Sequence, residues 1–161
     1  MEPSLDVLVI DDEVDFTEIV CQTLIEHGLH CKAINDPDRT FEILENDPPS
    51  LILTDFLMPH MNGLQLMEQL KKRNMPFCVA LVTGHSDNDK LLKAMQLGAL
   101  DYIQKPLHLE DFVNRLNVLV ELGRRIAEVR REHPGTEKWE VGNRMIELFK
   151  LKLANPQSSA G

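Results

Sequence analysis

Five residues able to do chemistry stand where short apolar runs stop. Asp11 and Asp12 follow residues 6–10, Asp55 follows 51–54, Thr83 follows 77–82, and Lys105 follows 101–104. Three carboxylates held together repel one another, so one must take a proton or a cation must sit among them. Hard oxygen ligands of this kind suit Mg2+, which binds through one or two carboxylates and keeps several waters. An ammonium and a hydroxyl aimed at the same place supply donors for anionic oxygens. Metal, ammonium, hydroxyl and a free carboxylate together describe phosphoryl transfer to that carboxylate, with an aspartyl phosphate as product. Taken singly, an Asp after a strand is an ordinary cap or turn former. Their joint occurrence at four strand ends carries the reading.

The elements that must position these groups alternate along the chain. Residues 51–54, bounded by Pro48-Pro49-Ser50 and Pro59, read as a buried strand of a parallel sheet. Asp55 then falls at its carboxyl end, where open α/β sheets place their ligand crevice. Residues 6–10 form a first strand. Residues 14–27 form a helix with Phe16, Ile19, Val20 and Leu24 on one face, stopped by Gly28. The half-polar segment 29–35 reads as an edge strand. Asp36-Pro37 opens a short helix, and 64–73 is another, its basic end Lys71-Lys72-Arg73 suiting the helix dipole. After the strand 77–82, Ser86 caps a helix that Gly98 stops. The result is an α/β, doubly wound, five-stranded parallel sheet with helices on both faces. The edge-like second strand suits the order 2-1-3-4-5.

Beyond this lies a helical extension. Residues 109–133 read as one helix of about 37 Å at 1.5 Å per residue, with Gly123 its weak point. Leu109, Phe112, Leu116, Leu119, Gly123 and Ile126 follow three-and-four spacing. Pro134-Gly135 breaks it. Thr136 caps a further helix in which Trp139, Gly142, Ile146, Phe149 and Leu153 repeat that spacing. The two are expected to pack as a hairpin, with a four-helix homodimer or a fold-back onto the domain as the alternatives.

Length and composition narrow the classes. A chain of 161 residues, 43% apolar and 27% charged, fits one globular domain with an appendage. No apolar run approaches the roughly 20 residues that span a bilayer, and the first residues lack the pattern of a secretory signal. Cys21, Cys31 and Cys78 are widely spaced and odd in number, so reduced thiols in a cytoplasmic protein are expected. Residues 1–122 carry 9 Lys/Arg against 21 Asp/Glu, a net of −12; residues 123–161 carry 8 against 5, a net of +3. Such a body has little bulk attraction for nucleic acid.

The motifs now resemble a known family. Val-Leu-Val-Ile-Asp11-Asp12-Glu, Asp55-x-x-Met58-Pro59-x-x-x-Gly63, Val82-Thr83-Gly84 and Gly98-Ala-x-Asp101-Tyr102-Ile-x-Lys105-Pro106 are similar to the receiver domain of two-component response regulators. The resemblance spans about 5–122, giving a receiver at 1–122 and, at 123–161, an extended fifth helix, a second helix and a frayed end. It implies the flavodoxin-like form of the fold. It makes Asp55 the acceptor of a phosphoryl group from a histidine kinase or phosphotransfer protein. It makes Asp12 a direct Mg2+ ligand, Asp11 one chiefly through water, and the Leu57 carbonyl a third protein ligand beside Asp55. Lys105 and Thr83 would hold phosphoryl oxygens. Gly84 would leave the approach open, and Tyr102 would be the switch aromatic. Leu57 and His85 occupy the positions that tune dephosphorylation; an apolar Leu57 argues for slow loss. The face made by the fourth helix, fifth strand and fifth helix would control a downstream protein.

Other classes compete. A DNA-binding output is disfavoured, because the tail is short for a helix-turn-helix domain. A receiver fragment of a longer regulator, its enzymatic or DNA-binding output lying elsewhere, fits a fifth helix that runs on as a connector. A free-standing Asp-nucleophile phosphatase is rejected, since Leu57 offers no general acid. The chain is thus expected to catalyse only its own phosphorylation and dephosphorylation, without membrane or nucleic-acid partners.

Overall fold

Successive residues of each strand point to opposite faces, and here both faces are dry. The computed structural model describes residues 4–84, 88–132 and 137–154, without the side chains of 137–139, 141–142 and 152–154. Its strands are β1 (Val7–Ile10), β2 (Cys31–Ile34), β3 (Leu51–Asp55), β4 (Cys78–Thr83) and β5 (Asp101–Gln104). Val7, Val9, Leu51, Leu53, Ala80 and Val82 enter one core, while Leu8, Ile10, Ile52, Val79 and Leu81 enter the other. That double burial is why the strands read as continuous apolar runs. All pairings are parallel and the order is β2-β1-β3-β4-β5, as expected for a flavodoxin-like sheet.

Helices α1 (Val14–Glu26), α2 (Thr40–Asn46), α3 (Gly63–Lys72), α4 (Asn88–Leu97), α5 (Leu109–Glu132) and α6 (Glu137–Ala154) cover the faces, with a 3-10 turn at Pro37–Arg39 before α2. α1 and α5 pack on the first core; α2, α3 and α4 pack on the second. Asn62 and Gln65 close a reciprocal capping box at the start of α3, bonding at 2.8 and 3.0 Å.

Two side chains leave the faces assigned to them. Ile19 is 60% exposed; the buried stripe of α1 is Thr17, Val20 and Leu24, and Ile19 lies off it. Leu109 is half exposed at the first turn of α5, before the helix meets the sheet. The rest of the α5 seam, Phe112, Leu116, Leu119, Gly123 and Ile126, is buried. Cys21 and Cys31 form a disulfide between α1 and β2, which corrects the expectation of three reduced thiols; Cys78 alone is free and buried.

The contacts of α5 with the body continue past Leu122. A Cβ at Gly123 would overlap the Ser50 carbonyl, so only glycine lets the helix cross the entrance to β3. Arg124 Nε donates to Asp6 at 2.8 Å, and Asp6 is 1% exposed. Arg130 lies over the Phe77 ring and donates to the Pro76 carbonyl. α6 packs against α5, with Ile146 buried in the first core and Met145 and Phe149 beside it. Asn143 reaches Asn74 at 3.2 Å, so α6 also touches the turn that leads into β4. The expected caps Ser86 and Thr136 lie outside the described residues, as do the side chains of Trp139, Gly142 and Leu153.

Candidate functional site

Register alone assembles the pocket. Ile10 pairs with Thr54, which sets Asp11 level with Asp55, and Asp55 pairs with Val82, which sets Thr83 one step beyond. Thr83 pairs with Gln104, so Lys105 follows at the same edge. Oxygen atoms of Asp11, Asp12 and Asp55 lie within 4.8 Å of one another. Asp11 and Asp55 are buried, whereas Asp12 is exposed.

Each group is held. Asp55 Oδ1 accepts the Leu57 amide at 3.1 Å, and Asp11 Oδ1 accepts the Glu13 amide at 2.9 Å. Lys105 Nζ stands 3.1 Å from Asp11 Oδ2, 3.5 Å from Asp55 Oδ2 and 4.0 Å from the centre of the Phe16 ring. Its backbone amide donates to the Thr83 carbonyl, which ties the ends of β4 and β5. A Cβ on Gly63 would come within 3.0 Å of the Asp55 carbonyl, so glycine is what lets α3 begin directly under the pocket. Among the described residues, nothing lies within 4 Å of a Cβ built on exposed Gly84.

Burial pushes the Asp55 carboxyl above its ordinary value of 3.8. The Leu57 amide opposes this, nearby Asp11 adds to it, and Lys105 offsets it in part. For Lys105, burial works against the charged form, but the bond to Asp11 and the charges of Asp55 and Asp11 outweigh it and raise its pKa. Burial also raises half-buried Tyr102, which packs on the second core.

Of the described residues expected at the site, Asp11, Asp12, Asp55, Thr83 and Lys105 are at this edge, Leu57 is on the rim and 40% exposed, and Tyr102 lies within β5, paired with Leu81. His85 lies outside the described residues. Two contributors escaped the sequence reading. Asn35 donates from its amide to the Asp11 carbonyl at 2.8 Å and to the Thr17 hydroxyl at 3.0 Å. Its signal was available, since it is the polar residue at the end of β2, one more strand end at the same edge. Phe16, under Lys105, read only as a core residue of α1.

Three carboxylates that could hold a metal ion, with an ammonium beside them, stand at the carboxyl edge of a doubly wound parallel sheet. Residues 7–117 match the response regulator receiver domain family, and the chain belongs to it. Over 107 residues it is 35% identical to the DNA-binding transcriptional regulator NtrC of Escherichia coli (strain K12), covering 66% of this chain and 23% of that protein. Over 165 residues it is 29% identical to the putative response regulator NtrX-like of Rickettsia bellii, covering 97% of this chain and 34% of the relative. The chain thus spans between about a quarter and a third of the length of these curated relatives. Among solved structures, NtrX from Brucella abortus superposes with a TM-score of 0.68 at 26% identity over 79% of this chain and 29% of its own. The signal receiver domain of a putative Luxo repressor protein from Vibrio parahaemolyticus shares the fold, with a TM-score of 0.72 at 19% identity over 79% of this chain and 98% of its own. No helix among the described residues is long and apolar enough to cross a membrane.

Proposed function

We propose that Asp55 is the phosphoacceptor of a two-component signalling switch. The observation that carries this is the convergence of Asp11, Asp12 and Asp55 oxygens within 4.8 Å, with Lys105 Nζ 3.5 Å from Asp55 Oδ2. In this reading an Asp55 oxygen attacks the phosphorus of a phosphohistidine on a kinase or phosphotransfer protein. The P–N bond breaks, and the imidazole leaves and takes up a proton. Lys105 holds one phosphoryl oxygen and the Thr83 hydroxyl another, countering the negative charge that collects there. Gly84 leaves room for the donor.

The donor set fits Mg2+: Asp11, Asp12 and Asp55 would hold it with the Leu57 carbonyl, all of them hard oxygens. When bound, Mg2+ supplies positive charge against the three acids and the incoming phosphoryl oxygens. Asp55 rests against the Leu57 amide and Lys105 until then.

Phosphorylation of Asp55 would engage Thr83 and Tyr102 and shift the face of α4, β5 and α5 that controls a downstream protein partner. The exposed Leu57 side chain has no polar atom with which to orient a water, which favours slow self-dephosphorylation, with His85 as the second tuning position. Residues 1–122 would then be the receiver and 123–161 a connector or dimerising hairpin, in a cytoplasmic protein. The second reading, a receiver portion of a longer regulator, is supported by the greater length of the curated relatives.

Incubation of the chain with a small-molecule phosphodonor and Mg2+, read by intact mass, tests the assignment. One added phosphoryl group that is absent in Asp55→Asn supports it. Labelling that survives Asp55→Asn overturns it.

A further inference from the structure

The disulfide lies away from the acid pocket, in the middle of α1 and at the first residue of β2. The Cα atoms of Cys21 and Cys31 are 5.5 Å apart, ten residues separate them in sequence, and both side chains are half-buried. A parallel α/β core buried on both faces is of a size that folds without a covalent staple. Where the surroundings are reducing, such a pair rests as two thiols and closes only when an oxidant arrives.

The two sulfurs are not equivalent. Cys31 lines a surface cleft of about 400 Å3 together with His30, Lys32 and Asp47, and Cys21 is not among the lining residues. Access decides which sulfur an oxidant meets first, and among the two it is Cys31 that borders this cleft. Cys78 is the internal contrast: it is 2% exposed, and burial pushes its thiol up to about 12.

We propose that Cys21 and Cys31 are a hydroperoxide-reactive thiol pair, with Cys31 the sulfur attacked and Cys21 the thiol that resolves it. The Cys31 thiolate displaces on the peroxide oxygen. An S–O bond forms, the O–O bond breaks, and the alcohol or water leaves with a proton. Sulfur is oxidised by two electrons to the sulfenic acid while the peroxide is reduced. The Cys21 thiolate then attacks Cys31 sulfur, the S–S bond forms, the S–O bond breaks and water departs. Overall, two thiols and one hydroperoxide give one disulfide, one alcohol or water, and one further water. The product joins α1 to β2 on the same pair of elements that Asn35 clasps at the Asp11 carbonyl. This assignment stands apart from the phosphoacceptor reading.

The test uses the full chain, reduced and desalted, then exposed to hydrogen peroxide. Denaturing thiol titration is expected to fall from three thiols to one, intact mass to drop by two hydrogens, and peptide mapping to join Cys21 to Cys31. The pair should be lost at least about tenfold faster than Cys78. With Cys21→Ser, dimedone should trap a sulfenic acid at Cys31; with Cys31→Ser, Cys21 should react about tenfold more slowly. Survival of all three thiols, equal loss of Cys78, equal trapping at Cys21, or a disulfide formed only between chains would each overturn the proposal.

Discussion

The Lys105 ammonium sits 3.1 Å from Asp11 Oδ2, closer than the 3.5 Å that separates it from Asp55 Oδ2. Its charge is therefore drawn towards the acid at the back of the pocket, and Asp55 is left the less compensated of the two. Burial is the main reason its pKa is raised; the Asp11 charge adds to that, and Lys105 offsets only part of it.

A stability consequence comes with a definite sign. Because Asp55 titrates above 3.8 in the folded protein, the folded state binds more protons than the unfolded one between 3.8 and the raised value. Metal-free stability therefore falls as pH rises through that window. Asp55→Asn removes the charge and leaves Lys105 its partner in Asp11. The variant should match wild type at about pH 3 and be the more stable of the two near about pH 7, in urea melts without metal. A variant that is weaker at both would mean that the carboxylate stabilises the apo fold.

Asp12 separates metal binding from folding. It is exposed, so Asp12→Asn should change metal-free stability by less than about 0.5 kcal/mol. Wild type should gain about 2.7 kcal/mol at a Mg2+ concentration a hundred times Kd and lose it on chelation. Asp12→Asn should show little of this gain. Thermal melts with Mg2+ and with a chelator give the comparison, and an undiminished shift in the variant would remove Asp12 from the ligand set.

Gly123 tests whether the tail is part of the domain. Gly123→Ala forces a methyl into the Ser50 carbonyl and should cost about 1–3 kcal/mol. Gly84→Ala, whose Cβ meets nothing within 4 Å among the described residues, should stay within about 0.5 kcal/mol. Denaturant midpoints measure both; equal midpoints would mean that α5 lifts off β3 at little expense.

What was legible in the sequence shares one physical cause. Parallel strands buried on both faces write themselves as short apolar runs, and their carboxyl ends gather at one edge, so the polar residue after each run belongs to one site. Asp11, Asp55, Thr83 and Lys105 were found that way. Asn35 follows the same rule but was overlooked, because β2 is half polar and its end stands out less. Ile19 was misplaced because α1 buries a stripe one position removed from the most apolar spacing. Gly123 looked like a flaw in a helix, since a close approach to the Ser50 carbonyl leaves no trace in helix periodicity. The Asn143–Asn74 and Arg124–Asp6 contacts join segments far apart in sequence, and polar pairs of that separation carry no local pattern.

The crossing at Gly123 also has a mechanical side. At 1.5 Å per residue, the part of α5 from Leu109 to that point is about 21 Å long and the part beyond it about 13 Å. A rigid rod seated on such a fulcrum converts a tilt at the arm beginning near β5 into an opposite sweep of the arm that carries α6, reduced by roughly the ratio of those lengths.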